Sequence, residues 1–276
     1  LYESSDGGDG FVSVEVAPEL ANDSAGTEQA ARQLHEQIAK RNLMVKIPGT
    51  AAGLAPIRTM ISEGRNINAT LIFSLERHRE VMDAYLEGLE AYVDAGGTEV
   101  GRIASVASFF ISRVDTEIDR RLEAIGSPEA LDLRGQAAVA QGKLAYRQFT
   151  EFFAGPRWER LAAVGARVQR PLWASTSTKN KAYLDTLYVD ELIGPHTVNT
   201  MPAATIDAYV ERGTHERRDD RDVEQAAEVW QQLTDVGVDL DDVAAQLERE
   251  GVSSFQKSFD ELLGALDAKS AELRAG

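Results

Sequence analysis

No cysteine occurs anywhere in this chain of 276 residues. That excludes a disulfide framework, a zinc ribbon and a thiol nucleophile. Histidine is scarce, and His35, His78, His196 and His215 fall in no HxH or HExxH spacing, so no histidine metal centre is expected. No apolar run approaches the ~18 residues that a membrane-crossing helix needs, and no signal-peptide pattern heads the chain. Positive charge is also in short supply. The net charge is −16, the wrong sign for nucleic acid, and an anionic substrate must find a local cationic pocket. These absences leave a cytoplasmic enzyme or binding protein as the expectation, with neither nucleic acid nor membrane as a partner.

What is present is a repeating alternation. Short apolar runs cover 10–18, 42–49, 66–73, 100–110, 170–176 and 196–202, separated by helical patterns such as 26–41 and 74–96. The stretch 134–165 reads as one long or two shorter helices. Strands alternating with helices predict βα units and a parallel sheet. Within the runs, Val12, Val14 and Val16 alternate with Phe11, Ser13 and Glu15. Leu43, Val45 and Ile47 alternate with Met44 and Lys46, and Ile67, Ala69, Leu71 and Phe73 alternate with Asn68, Thr70 and Ile72. Each strand therefore has an aliphatic face for helices and a second face bearing polar groups. On the later runs that second face is expected to carry Ser108 and Phe110, then Trp173 and Ser175.

Strands of a doubly wound sheet are usually apolar on both faces. Polar residues gathered on one face near the strand C-termini predict instead a (β/α)8 TIM barrel with its site at the top. This chain supplies six βα units of it, over 1–215. The acidic remainder, 216–276, reads as helices only, packing on the same barrel.

Only 7 of the 29 basic residues are lysine, and one of them, Lys46, stands in the apolar run "NLMVKIPGT". A lysine on that face either pairs with a carboxylate in the barrel layer or serves as an amine nucleophile. Burial disfavours an ammonium ion, and a neutral amine adds to a ketone or aldehyde to give a Schiff base, an electron sink. Glu15 lies at the equivalent depth of the preceding strand, with Asn68 and Thr70 on the next. Each alone reads as a counter-ion or a barrel-layer hydrogen bond. Together they outline a polar pocket for a hydroxylated carbonyl compound. For a phosphate group the candidates are Arg113 and the loop "ASTSTKN", 174–180, with Ser175, Lys179 and a possible helix N-terminus.

"GFVSVEV", "LMVKIPGT", "GRNINATLIFS", "ASFFISRVD" and "WASTSTKN", in this order, resemble the transaldolases, most closely the actinobacterial type, over about 10–212. The resemblance implies a class I aldolase-type barrel needing neither metal nor cofactor, a monomer or homodimer acting on sugar phosphates. A dihydroxyacetone unit would pass from a ketose phosphate to an aldose phosphate, the transfer step of the pentose phosphate pathway. Lys46 matches the family's Schiff-base lysine, and Glu15 and Thr70 match residues holding a catalytic water. Asn68 and Ser108 match contacts to the dihydroxyacetone unit, Phe110 a pocket wall, and Arg113 and Ser175 phosphate ligands. The six strands match the family's third to eighth. The chain begins at Leu1 rather than Met, and upstream residues supplying two more βα units are expected, with the first and last strands standing apart. A Schiff-base aldolase that releases its product, and a non-catalytic sugar-phosphate-binding barrel, are the alternatives.

Overall fold

The computed structural model describes residues 1–275. After a short 3-10 turn at Glu3–Ser5, the chain alternates strands with helices. In order these are β1 (Val12–Glu15), α1 (Ser24–Ile38), β2 (Leu43–Pro48), α2 (Leu54–Ser62), β3 (Ile67–Ile72), α3 (Leu75–Asp94) and β4 (Ser105–Phe110). Four helices follow, α4 (Ser112–Ile125), α5 (Pro128–Asp132), α6 (Ala137–Phe152) and α7 (Pro156–Ala163). Then come β5 (Arg170–Ala174), α8 (Leu187–Glu191), β6 (Val198–Asn199), α9 (Ala203–Arg212), α10 (Val223–Asp235) and α11 (Leu240–Ala275).

Local chemistry sets the boundaries. Asp23 accepts the Gly26 N–H at 3.0 Å and starts α1, and Ser74 accepts the Arg77 N–H at 3.1 Å and starts α3, each satisfying a donor that a helix start leaves free. Gly126, with φ of 72°, ends α4 in the left-handed conformation that glycine adopts at no steric cost.

All six strands are parallel and lie in chain order, β1 to β6, each bonded only to its sequence neighbours. A doubly wound sheet reverses its strand order at a switch point. Here there is none, which is the topology of a barrel wall, and β1 and β6 stand at its two edges without pairing to each other. The expected six βα units and separated end strands are present.

The outward face of the wall is aliphatic: Val45, Ile47, Ile67, Ala69 and Ala107 are fully buried against the helices. Each large side chain so buried contributes about 1.5–3 kcal/mol. The inward face was legible on four strands and misread on the fifth. Trp173 was expected to point inward. It points outward instead, fully buried, with its ring against Phe109 and its indole N–H donating to the Leu192 carbonyl at 2.8 Å. Leu172 and Ala174 take the inward places. An indole needs both a large volume and an acceptor for its N–H, and the helical layer offers both.

Two helices close the chain. α10 packs on α6 through Val223, Ala226, Val229 and Leu233. α11 crosses the wall, touching α4, the end of β3 and the turn at Pro18–Asn22. Its seat is at Gly251. A Cβ there would lie 3.0 Å from a Leu71 methyl and 3.3 Å from the Phe73 ring, so any larger residue would make those side chains or the helix shift. Leu71 itself has φ of 58°, where the β3–β4 register shifts between Ala69 and Ile72. Holding a leucine in that left-handed conformation costs about 1–2 kcal/mol.

Candidate functional site

Parallel register brings the site together. Glu15 pairs in register with Lys46, and Lys46 with Asn68, so the polar members of three strands fall at one height. They line a cavity of about 540 Å³ together with Ser13, Thr70 and Ser108. Its volume suits a small-molecule ligand. At the lower end Gly7, Gly8 and Asp9 line it. Arg167 donates to the Gly7 and Asp6 carbonyls, and Arg170 to the Gly8 carbonyl at 3.4 Å.

Lys46 is not the bare amine among aliphatics that the sequence pattern suggests. Its side chain is 21% exposed, and its Nζ lies 3.4 Å from Glu15 Oε2 and 4.8 Å from the centre of the Phe255 ring on α11. The environment is an ion pair under an aromatic ring. Burial pushes the Glu15 carboxyl above the ordinary carboxylate range, although the charge and hydrogen bond of Lys46 oppose the shift. A carboxylate with a raised affinity for protons is the better acceptor for the proton that an attacking amine must lose.

Asn68 is fixed from both sides. Its amide donates to Ser13 Oγ at 3.0 Å, and its carbonyl accepts from Ser108 Oγ at 2.7 Å. The Thr70 hydroxyl is different, being completely buried with no hydrogen-bond partner among the described residues. A buried hydroxyl left so costs about 1–3 kcal/mol, and it faces the cavity two residues above Asn68.

Phe110 ends β4, 5.0 Å from Phe73 and 6.3 Å from Phe255 between ring centres. The half-buried Arg113 guanidinium lies over it at 5.4 Å. Arg113 belongs to the first turn of α4, where free N–H groups and the helix dipole favour an anion. Ser112 and Ser175 join there, their hydroxyls 2.9 Å apart, and Ser175 has φ of 57°. The expected phosphate loop is thus only partly assembled at this end. Lys179 is exposed, donates to Ser177 Oγ at 2.8 Å, and lines a separate cleft with Asp119, Glu123 and Tyr183. Leaving the cavity for a solvated loop tip is the lower-cost place for a strongly hydrated ammonium.

The structure therefore gathers Glu15, Lys46, Asn68, Thr70 and Ser108 around one cavity; Phe110, Arg113 and Ser175 are not among its lining residues and stand together at the ends of β4 and β5. Ser13 and Phe255 were not singled out as site residues. Ser13 was signalled by its place on the polar face of the first strand. Phe255 lies 209 residues from Lys46 in sequence, and only the path of α11 brings the two together.

The chain is similar to known proteins over nearly its whole length. Residues 3–266 match the model of the family described as "Transaldolase/Fructose-6-phosphate aldolase". The chain is 53% identical over 272 residues to a transaldolase of Mycolicibacterium smegmatis, covering 97% of this chain and 73% of that protein. It is also 53% identical over 264 residues to a transaldolase of Mycobacterium tuberculosis, with 95% and 70% covered. With transaldolase 1 of Streptomyces coelicolor the identity is 50% over 279 residues, with 99% and 72% covered. A match over nearly the whole chain, with relatives at half identity, means that this chain belongs to the transaldolase/fructose-6-phosphate aldolase family.

Proposed function

We propose that the chain is a transaldolase in which Lys46 carries the covalent step. The observation behind this is one juxtaposition: an amine 3.4 Å from a carboxylate of raised proton affinity, beside an unpartnered buried hydroxyl, in a cavity sized for a sugar phosphate. A binding barrel has no need of it. In the reaction, Nζ adds to the C2 ketone of a ketose phosphate such as fructose 6-phosphate or sedoheptulose 7-phosphate. Glu15, through a water shared with Thr70, moves the protons as the adduct loses water to form the imine. A base takes the C4 hydroxyl proton, the C4 oxygen becomes the carbonyl of the departing aldose phosphate, and the C3–C4 electron pair flows toward the imine nitrogen. The three-carbon enamine then attacks the next aldehyde.

Asn68, held by Ser13 and Ser108, offers a fixed amide to the hydroxyls of the three-carbon unit, and a fixed donor spares the cost of ordering it during reaction. Arg113, Ser175 and the α4 N-terminus receive the phosphate. Phe110 forms the wall between the two ends. Borohydride reduction in the presence of fructose 6-phosphate is expected to leave a three-carbon unit on the peptide containing Lys46. An adduct on Lys143, Lys179 or Lys181 instead would refute the assignment. Lys46→Arg is expected to give no adduct and at least a ~1000-fold loss of activity, since a guanidinium stays protonated and forms no imine.

A further inference from the structure

The Phe255 ring, half-buried on α11, lies 4.8 Å from Lys46 Nζ and meets Phe110 at 6.3 Å, almost edge-on. Its position follows from an element remote in sequence. Gly251, one turn earlier, seats the helix against Leu71 and Phe73, and one helical turn carries the next inward residue over the top of β2. A carbon bonded to Nζ lies about 1.5 Å from it. Any adduct on Lys46 therefore forms within contact range of that ring.

We propose that Phe255 is a shielding residue, keeping water from the lysine-bound three-carbon unit and thereby deciding whether that unit is transferred or released. The proposal rests on the reading of Lys46 given above. After C3–C4 breaks, the nucleophilic carbon is two bonds from Nζ and has two fates. An aldehyde can accept its electron pair, forming a new C–C bond while the aldehyde oxygen takes a proton. Alternatively, that carbon takes a proton directly. In both cases water then adds to C2 and the amine leaves, giving a longer ketose phosphate in the first case and free dihydroxyacetone in the second. No oxidant or reductant enters either route, and both regenerate the same Lys46. Their ratio reports the protection of one carbon from proton donors. An apolar ring covering that carbon lowers the local supply of water without obstructing an aldehyde entering from the cavity side.

The test measures free dihydroxyacetone against sedoheptulose 7-phosphate when the chain is given fructose 6-phosphate and erythrose 4-phosphate. Two variants perturb the shield from different elements. Phe255→Ala removes the ring. Gly251→Val keeps the ring but forces the helix away from Leu71 and Phe73, and it replaces a poor helix former by a better one. Both are expected to raise the release-to-transfer ratio about tenfold while the borohydride adduct on Lys46 persists. Phe255→Leu is expected to restore most of the parent ratio, as a bulky apolar group suffices. An intact adduct with the ratio within about twofold of the parent in both alanine and valine variants overturns the shielding role alone. Absence of the adduct in the parent chain overturns the reading of Lys46 and this proposal with it.

Discussion

One buried polar cluster lies inside the barrel wall and another among the helices outside it, and they differ in how completely their atoms are paired. Behind the wall, on α4, Asp115 accepts the Ala138 N–H and the Tyr188 hydroxyl, each at 2.7 Å. Asp119 accepts the Gly135 N–H at 2.9 Å and the Tyr183 hydroxyl at 2.6 Å. Every carboxylate oxygen has its donor. Inside the wall, among the described residues, Glu15 has one side-chain hydrogen bond at 3.4 Å and the Thr70 hydroxyl has none. Buried polar groups in native proteins are nearly always satisfied. The saturated cluster ties helices and loop together, whereas the unsaturated one has bonding capacity left for a substrate.

Disturbing the inner cluster is expected to change rate, and disturbing the outer one stability. After Lys46→Arg, the largest effect is expected for Glu15→Gln, with kcat lowered about 100- to 1000-fold, since the amide can neither accept nor return the proton. In the parent, burial places the carboxyl above its ordinary value of 4.5. The acid limb of the kcat/KM profile is expected above that pH and should vanish in the variant; a limb that survives would assign it to another group. Next comes Arg113→Ala. Loss of a charge-assisted phosphate contact is expected to lower kcat/KM for phosphorylated ketoses by about 2–3 kcal/mol, while unphosphorylated ones change little. Equal losses on both would make Arg113 structural.

The smallest effect on rate belongs to Tyr188→Phe, which leaves one Asp115 oxygen unpaired. Burial already pushes Asp115 up to about 6 from 3.8, against the pull of the Ala138 N–H and the Tyr188 hydroxyl. A folded-state value above the unfolded one means that the folded chain binds the proton more tightly. Its stabilising share is full below about pH 4 and is lost as pH rises through about 6. Removing the hydroxyl deepens that loss. Tyr188→Phe is therefore expected to cost about 1–2 kcal/mol at pH 8 and less at pH 4, by chemical denaturation, with kcat nearly unchanged. A rate loss without a stability loss would reverse the assignment of the two clusters.

The inner cluster was readable because charged and polar residues interrupt otherwise aliphatic strands. Glu15, Lys46, Asn68, Thr70 and Ser108 each mark the inward face by being out of place on the outward one. β5 carries no such marker: in "RPLWAST" both faces are apolar, and alternation alone did not say which side Trp173 would take. The strands themselves were legible for the same reason, since a period of two needs only a few residues to show. Pairing across long sequence separations leaves no such periodic trace. Gly251 inside a helix reads as a weakness, and its use becomes visible only once Leu71 and Phe73 are beneath it. The seat of α11, and with it Phe255, could not be read from the sequence.

Strand order in space follows strand order in time during synthesis. Each strand pairs with the one made just before it, so the wall can grow residue by residue as the chain leaves the ribosome, without waiting for its ends to meet. Lys46 and Glu15 stand 31 residues apart and can pair early, whereas α11 is made after every strand of the wall. A nascent chain would thus expose an assembled amine–carboxylate pair to the sugar phosphates around it before its aromatic cover arrives. Ligand then meets the half-finished wall first, and α11 closes over an occupied site.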